Sequence, residues 1–330
     1  MMPADVADDR RAATSTQPRA RIASSARRLG TLAGLLGLCL LLWILTPHFL
    51  TTSNLLNVLE QTAINAIIAV GMTFVIISGG IDLSVGSLVA LAGVVLATLL
   101  HGGTPVLVAI AAAIAAGALF GSFNGMAITW GRLPPFIATL GMMSVARGCA
   151  LLFTDGRPVS GFEGGFRAIA TARIAGIPAP VFLTAAVYLI AQFVLTETRF
   201  GRYVYAIGGN EEATRLSGVS VRLHKTAVYA VSGATSALAA VLLTARLNSA
   251  QPIAGIMYEL DAIAAVVIGG TSLMGGEGTL SGTLIGALIM GVLRNGLNLL
   301  GVSSFMQQVV IGLVIVGAVL IDTLLKARKS

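Results

Sequence analysis

FVIISGGIDLSVGSLVALAG, residues 74–93, sets two apolar runs on either side of a glycine pair and an aspartate. Without that interruption nearly forty apolar residues would run on unbroken. Glycine tolerates the left-handed conformation that ends a helix. Asp82 or Ser84 suits the N-cap of a following helix, where a side-chain oxygen accepts an orphan backbone N–H. Residues 78–87 therefore predict a tight break between two helices, at or just inside a membrane face. A carboxylate in mid-bilayer costs about 2.5–3.5 kcal/mol on insertion scales, a cost that capping offsets in part. Gly79, Gly80, Asp82, Ser84 and Gly86 thus have two readings: a structural cap, or a moving, substrate-lining region of a transporter, where broken helices are common.

The composition sets the class. The chain has 330 residues, 56% hydrophobic and 11% charged, with mean hydropathy +0.90. A soluble domain carries about 25% charged residues, so this chain has too few to coat a water-facing surface. Apolar runs of about twenty residues recur, the length that crosses a hydrocarbon core of ~30 Å. They show no period-two alternation, which argues against a membrane barrel. The expected fold is all-α: a polytopic helical membrane protein. Net charge +7 is read as loop asymmetry around a membrane rather than as a nucleic-acid surface. Cys39 and Cys149 sit in apolar runs as small hydrophobes, with no metal-ligand spacing.

About ten spans are predicted, near 29–47, 61–79, 84–101, 105–129, 135–154, 179–196, 226–246, 260–272, 280–300 and 305–325. Residues 1–28, small, polar and charged, read as a disordered cytoplasmic tail. Residues 29–325 form the membrane domain and 326–330 a cytoplasmic C-terminal tail. An even span count puts both termini on one side. With the N-terminus inside, fifteen basic residues fall in the cytoplasm, and only Arg157, Arg167, Arg173 and Arg246 stay outside. That asymmetry is the one the positive-inside rule requires. Gly117, Gly121 and Gly125 line one stripe of the fourth span, and Gly282 with Gly286 do so in the ninth. Both stripes predict close helix packing. The 264–289 stretch AAVVIGGTSLMGGEGTLSGTLIGALI faintly echoes the opening segment, and Gly269 and Gly270 predict a second break or re-entrant turn near 268–280.

The inner loop 197–225 reads RFGRYVYAIGGNEEATRLSGVSVRLHK from residue 199. Asn210 is a good N-cap, and Glu211 and Glu212 suit the positive end of the helix dipole. Ala213 and Arg215 continue the turn and Gly218 can close it. This predicts a two-turn surface helix, either a plain amphipathic element or a docking site for a partner. Arg147, Arg294, Glu259 and Asp261 are intramembrane or near-membrane ions in need of partners. Asn65, Asn295 and Asn298 could contact a polyol in a central path, or tie helices together. The three histidines have no ligand spacing. No nucleophile elbow, H-E-x-x-H or phosphate loop is present, so no catalytic residue, metal or nucleotide site is expected in this chain.

Four stretches carry a family resemblance: NAIIAVGMTFVIISGGIDLSVGSLVAL (65–91), PPFIATLGMM (134–143), GRYVYAIGGNEEATRLSGVSV (201–221) and the long run 258–304 beginning YELDAIAAVVIGG. Together they resemble the permease subunit of ribose-type ABC sugar importers, across nearly all of residues 45–325. The resemblance implies two permease chains in the bacterial inner membrane, a cytoplasmic ATPase that alone holds ATP and magnesium, and an extracytoplasmic sugar-binding protein. It implies a monosaccharide cargo, ribose first, and a coupling role for Asn210, Glu211, Glu212, Ala213, Arg215 and Gly218. Counted from Glu211, the family's E-A-A-x-x-x-G pattern is met imperfectly: Glu212 replaces the first alanine and the glycine comes one residue late. The competing class is an ion-gradient-driven secondary transporter with helix-end sites near Asp82 and Asp261. The same ABC family with another small polar substrate is a further alternative.

Overall fold

The computed structural model describes residues 30–327, with side chains to residue 320. The tail expected at 1–28 and the last three residues lie outside the described residues. The helices are α1 (Gly30–Leu45), α2 (Thr52–Ile77), α3 (Val85–His101), α4 (Val106–Thr129), α5 (Pro135–Thr154), α6 (Gly164–Thr171), α7 (Ala179–Glu197), α8 (Arg199–Gly209), α9 (Glu211–Leu216), α10 (Val221–Leu247), α11 (Tyr258–Ile268), α12 (Leu280–Leu299) and α13 (Ser304–Ala327). Two short antiparallel pairings complete the described fold: β1 (Val159–Ser160) with β4 (Ser249–Ala250), and β2 (Arg173–Ile174) with β3 (Ile177–Pro178).

Among the described residues, six helices are long and apolar enough to cross a membrane: α2, α4, α5, α7, α10 and α12. Residues 30–45, α3 and residues 304–320 are shorter apolar helices. The chain is a multi-pass helical membrane protein. The span expected at 260–272 is the 11-residue α11, which at 1.5 Å per residue rises only ~16 Å and cannot cross by itself. The second helix begins at Thr52, earlier than the expected 61, because Thr51 caps it by accepting the Asn54 N–H. Polar residues of that first stretch hid the start from a hydropathy reading. The expected two-turn surface helix is a pair, α8 and α9.

α10 is the central post, packed chiefly on α4, α2 and α3. The α4 glycine stripe makes this possible. A methyl at Gly117 would stand 2.4 Å from the Gly233 carbonyl oxygen, and one at Gly121 would stand 2.1 Å from that of Tyr229. Backbone therefore lies on backbone along the crossing. Gly282 and Gly286 do the same for α12 against Gly269 and Ala265. Van der Waals packing of this kind replaces the missing hydrophobic drive between helices in lipid.

The bundle has two recognisable ends. At one, the strand end, Phe162 N–H donates to Asn248 Oδ1 and β1 meets β4. At the other, the hairpin end, the last turn of α8 lies against the end of α2 and the turn before α12, and α9 packs on α8 and α10. Polar ties run through the interior as well. Asn54 and Asn295 exchange side-chain hydrogen bonds at 2.8 and 3.0 Å, and Gln307 donates to Asn298 Oδ1 at 2.7 Å.

Candidate functional site

Both helix breaks exist, and they meet. α2 stops at Ile77, Gly79 takes φ +78°, and α3 restarts at Val85. α11 stops at Ile268, Gly270, Gly275 and Gly276 take φ of +90°, +85° and +73°, and α12 starts at Leu280. Gly276 N–H donates to the Ile77 carbonyl at 2.9 Å, joining one break to the other. The C-terminal turn of α8 closes over this joint. A methyl at Gly208 would fall 1.8 Å from Ile77 O and 2.5 Å from Gly276 N. Tyr205 Oη, on the preceding turn, donates to Gly278 O at 2.7 Å. Three backbone segments thus touch with no side chain between them, an arrangement only glycine permits.

The hairpin is firm. α8 is capped by Thr198, which accepts the Gly201 N–H, and it buries Gly201, Val204 and Ile207, a spacing of three that keeps one face inward. α9 is capped by Asn210, whose Oδ1 accepts Ala213 N–H at 2.9 Å. Glu211 and Glu212 occupy its first turn and complement the dipole. Glu211 Oε2 accepts from Lys225 Nζ of α10 at 2.6 Å, which pins the short helix to the central post. Arg215 hydrogen-bonds back to Glu212, and that bond raises the guanidinium pKa above its ordinary value. Gly218 ends the element at φ +83°. α9 exposes most of its surface, with Leu216 77% exposed.

Asp82 lies deeper than expected. Its Oδ1 accepts both the backbone N–H of Ser84 (3.0 Å) and the Ser84 hydroxyl (2.6 Å). Its Oδ2 accepts from Ser232 of α10 at 2.8 Å, and Asn124 of α4 donates to Ser84 Oγ at 2.9 Å. Ser232 stands eleven residues past the start of α10, about 16 Å along its axis. The aspartate is therefore a fully buried knot tying the break to α4 and α10, well inside the bundle rather than at its face. Ser84 holds the N-cap position, yet its side chain makes no cap bond.

Nearer the strand end a second irregular segment descends. Ala250 lies level with Gly93 of α3, while Gly255 abuts Gly86, seven residues and about 10 Å further along that helix. Arg147 of α5 fixes this descent, donating to the Pro252 and Ala254 carbonyls at 2.8 and 2.7 Å. α11 then begins inside the bundle. Arg294 Nη2 binds both oxygens of Asp261, at 2.7 and 2.6 Å, and Asn65 Nδ2 donates to Oδ2 at 3.2 Å. Asn65 thus joins an ionic group. Asn295 and Asn298 are occupied in the helix ties above, so the structure does not bring these three asparagines together. Sequence reading missed the Asn54 tie, the Arg147 clamp and the Glu60–Arg246 pair (3.4 Å). Each joins elements far apart in the chain. α8 alone left a local signal, its three-residue spacing.

A half-helix starting within the bundle, two glycine breaks in contact and a capped hairpin resting on them form a transporter-like frame. Comparison with known proteins agrees. A family described as the permease component of the branched-chain amino acid transport system matches residues 54–319. This chain belongs to that family. The permease is 52% identical to a ribose import permease protein of Escherichia coli over 296 residues, which are 88% of this chain and 92% of the relative. It is 50% identical to the Bacillus subtilis ribose import permease protein over 298 residues, 90% and 92% of the two chains. Against a D-allose transport system permease protein of Escherichia coli the identity is 42% over 279 residues, 84% and 86% of the chains. No solved structure matches.

Proposed function

We propose that this permease carries ribose, or a closely related monosaccharide, across the bacterial inner membrane as the membrane subunit of an ABC importer. The substrate reading rests on the relatives: ribose import permease proteins match at half identity over nine-tenths of their length, and the allose system follows at 42%.

The mechanism rests on one observation, the glycine joint where Gly208 touches Ile77 and Gly276. In this reading the hairpin end is cytoplasmic, both termini with it, and α8–α9 is the lever on which a separate ATPase acts. That partner holds ATP and magnesium. An external binding protein delivers the sugar at the strand end. Coupling needs a rigid element and two states that the partner's nucleotide favours unequally. Here a push on α8 reaches the ends of α2 and α12 through backbone contact, without flexible side chains to absorb it. Because the two breaks share the joint, they move together. A second copy of the chain, related by two-fold symmetry, would close a shared path.

The test is co-purification from the native membrane with the ATPase and binding protein, then reconstitution into vesicles. ATP-dependent ribose uptake that requires both partners is the expected result. Gradient-driven uptake by this chain alone would sink the reading. So would labelling of a cysteine placed in 210–217 from outside intact cells.

A further inference from the structure

The ion pair of Asp261 and Arg294 leaves half of an arginine unused. Gly286 over Ala265 and Gly282 over Gly269 set the register of α12 on α11. One turn further, Asp261 stands beside residue 290, ten residues into the 20-residue α12, which is halfway along it. The Asp261 side chain is 2% exposed and that of Arg294 is 35% exposed. A guanidinium has five N–H donors in a planar fork. Among the described residues, both hydrogen bonds of the Arg294 side chain run through Nη2. Tyr258 and Asp261, three apart on α11, share a face. The Tyr258 ring is half-buried, and its hydroxyl has no hydrogen-bond partner among the described residues. The Glu60–Arg246 pair, half-buried, stands between this group and the strand end.

An open guanidinium halfway along a membrane helix needs water or protein on its free side, since hydrocarbon offers it no acceptor. Arg294 also reaches toward the bundle centre, not outward to the membrane surface. The pairing with Asp261 cancels its charge, so the site favours neither anions nor cations. What remains is a fork of N–H donors with a phenol nearby, a set that suits two adjacent hydroxyl oxygens of a neutral polyol.

We infer that Arg294 and Tyr258 form a sugar-contacting station in the translocation path, with Asp261 and Asn65 as positioning residues that hold the guanidinium. This deepens the importer reading and rests on it. The same face of α11 and α12 then lines the water-filled side of the assembled permease.

The test uses the full complex, with ATPase and ribose-loaded binding protein, in proteoliposomes, and reads ribose imported per ATP hydrolysed. Tyr258→Phe removes one hydroxyl, and Arg294→Lys keeps the charge for Asp261 but loses the fork. Each should lower sugar per ATP by about three- to tenfold, the worth of one or two hydrogen bonds. The binding-protein-stimulated ATPase rate should stay within about twofold, which separates sugar contact from a general structural defect. Unchanged stoichiometry in Tyr258→Phe, the milder variant, overturns the proposal, as does a parallel fall of uptake and ATPase in both variants. A wild-type complex that imports no monosaccharide at all defeats the importer reading itself, and the station with it.

Discussion

Gly208→Ala is the sharpest perturbation of the glycine joint. An alanine methyl would sit 1.8 Å from Ile77 O and 2.5 Å from Gly276 N, where real methyl carbons stop near 3.0 Å. The α8 turn must therefore retreat by about 1.2 Å from two backbones at once. Overpacking of this kind costs about 1–3 kcal/mol. Loss of the Gly276 to Ile77 hydrogen bond adds about 0.5–1.5 kcal/mol. Alanine's better helix propensity returns about 1 kcal/mol, since Gly208 lies in a helix at negative φ. The net is a destabilisation of about 2 kcal/mol, concentrated where lever meets breaks. Gly209→Ala is the matched control. It lies one residue on in the same helix and its methyl would meet nothing within 4 Å, so only the propensity gain applies. Thermal unfolding in detergent and sugar-stimulated ATPase of the reconstituted complex read the two consequences. Gly208→Ala should melt earlier and lose coupling, while Gly209→Ala melts no earlier than the parent and keeps its coupling. If both variants behave alike, the backbone contact transmits nothing and the lever argument fails.

Other outcomes follow from the same contacts. Asp82→Ala strands the Ser84 N–H and two hydroxyls in the bundle and should cost about 2–4 kcal/mol, visible as a lower melting temperature. Asp82→Asn, which can still bond Ser84 and Ser232, should assemble and show impaired transport; wild-type uptake would leave Asp82 only its structural role. Glu211→Ala combined with Glu212→Ala removes the Lys225 anchor and the first-turn charges of α9. The permease should stay folded yet bind or stimulate its ATPase less well, and an unchanged complex with full stimulation would refute the docking role. Asn295→Ala breaks the exchange with Asn54 and should lower stability by about 1 kcal/mol, with sugar uptake per ATP unaltered.

Much of the architecture was legible because the bilayer reads composition directly. Apolar runs, the scarcity of charge, the two glycine breaks and the α9 caps are local properties, and the helices around them start and stop close to where those signals stand. The misses have a common physical origin. Thr51 starts α2 through a cap inside a polar stretch, and hydropathy does not register caps. The segment at 260–272 is apolar enough to span, but the residues just before it descend into the bundle and Arg147 holds them there through the Pro252 and Ala254 carbonyls, an interaction without sequence signature, so α11 starts inside. Asp82 looked like a surface cap because sequence carries no depth; Ser232 and Asn124, 150 and 42 residues away along the chain, decide where it sits.

By itself, then, the sequence determined that this is a helical membrane protein with interrupted helices and a capped, charged surface helix, because those features follow from transfer free energy and backbone propensity residue by residue. Only the tertiary structure decided that the two interruptions touch, that Gly208 seals them, and that Asp261 turns Arg294 inward. Such contacts depend on which helix faces which, and that choice is made by the packing of the whole bundle, where one glycine in register lets two backbones meet and one out of register keeps them apart.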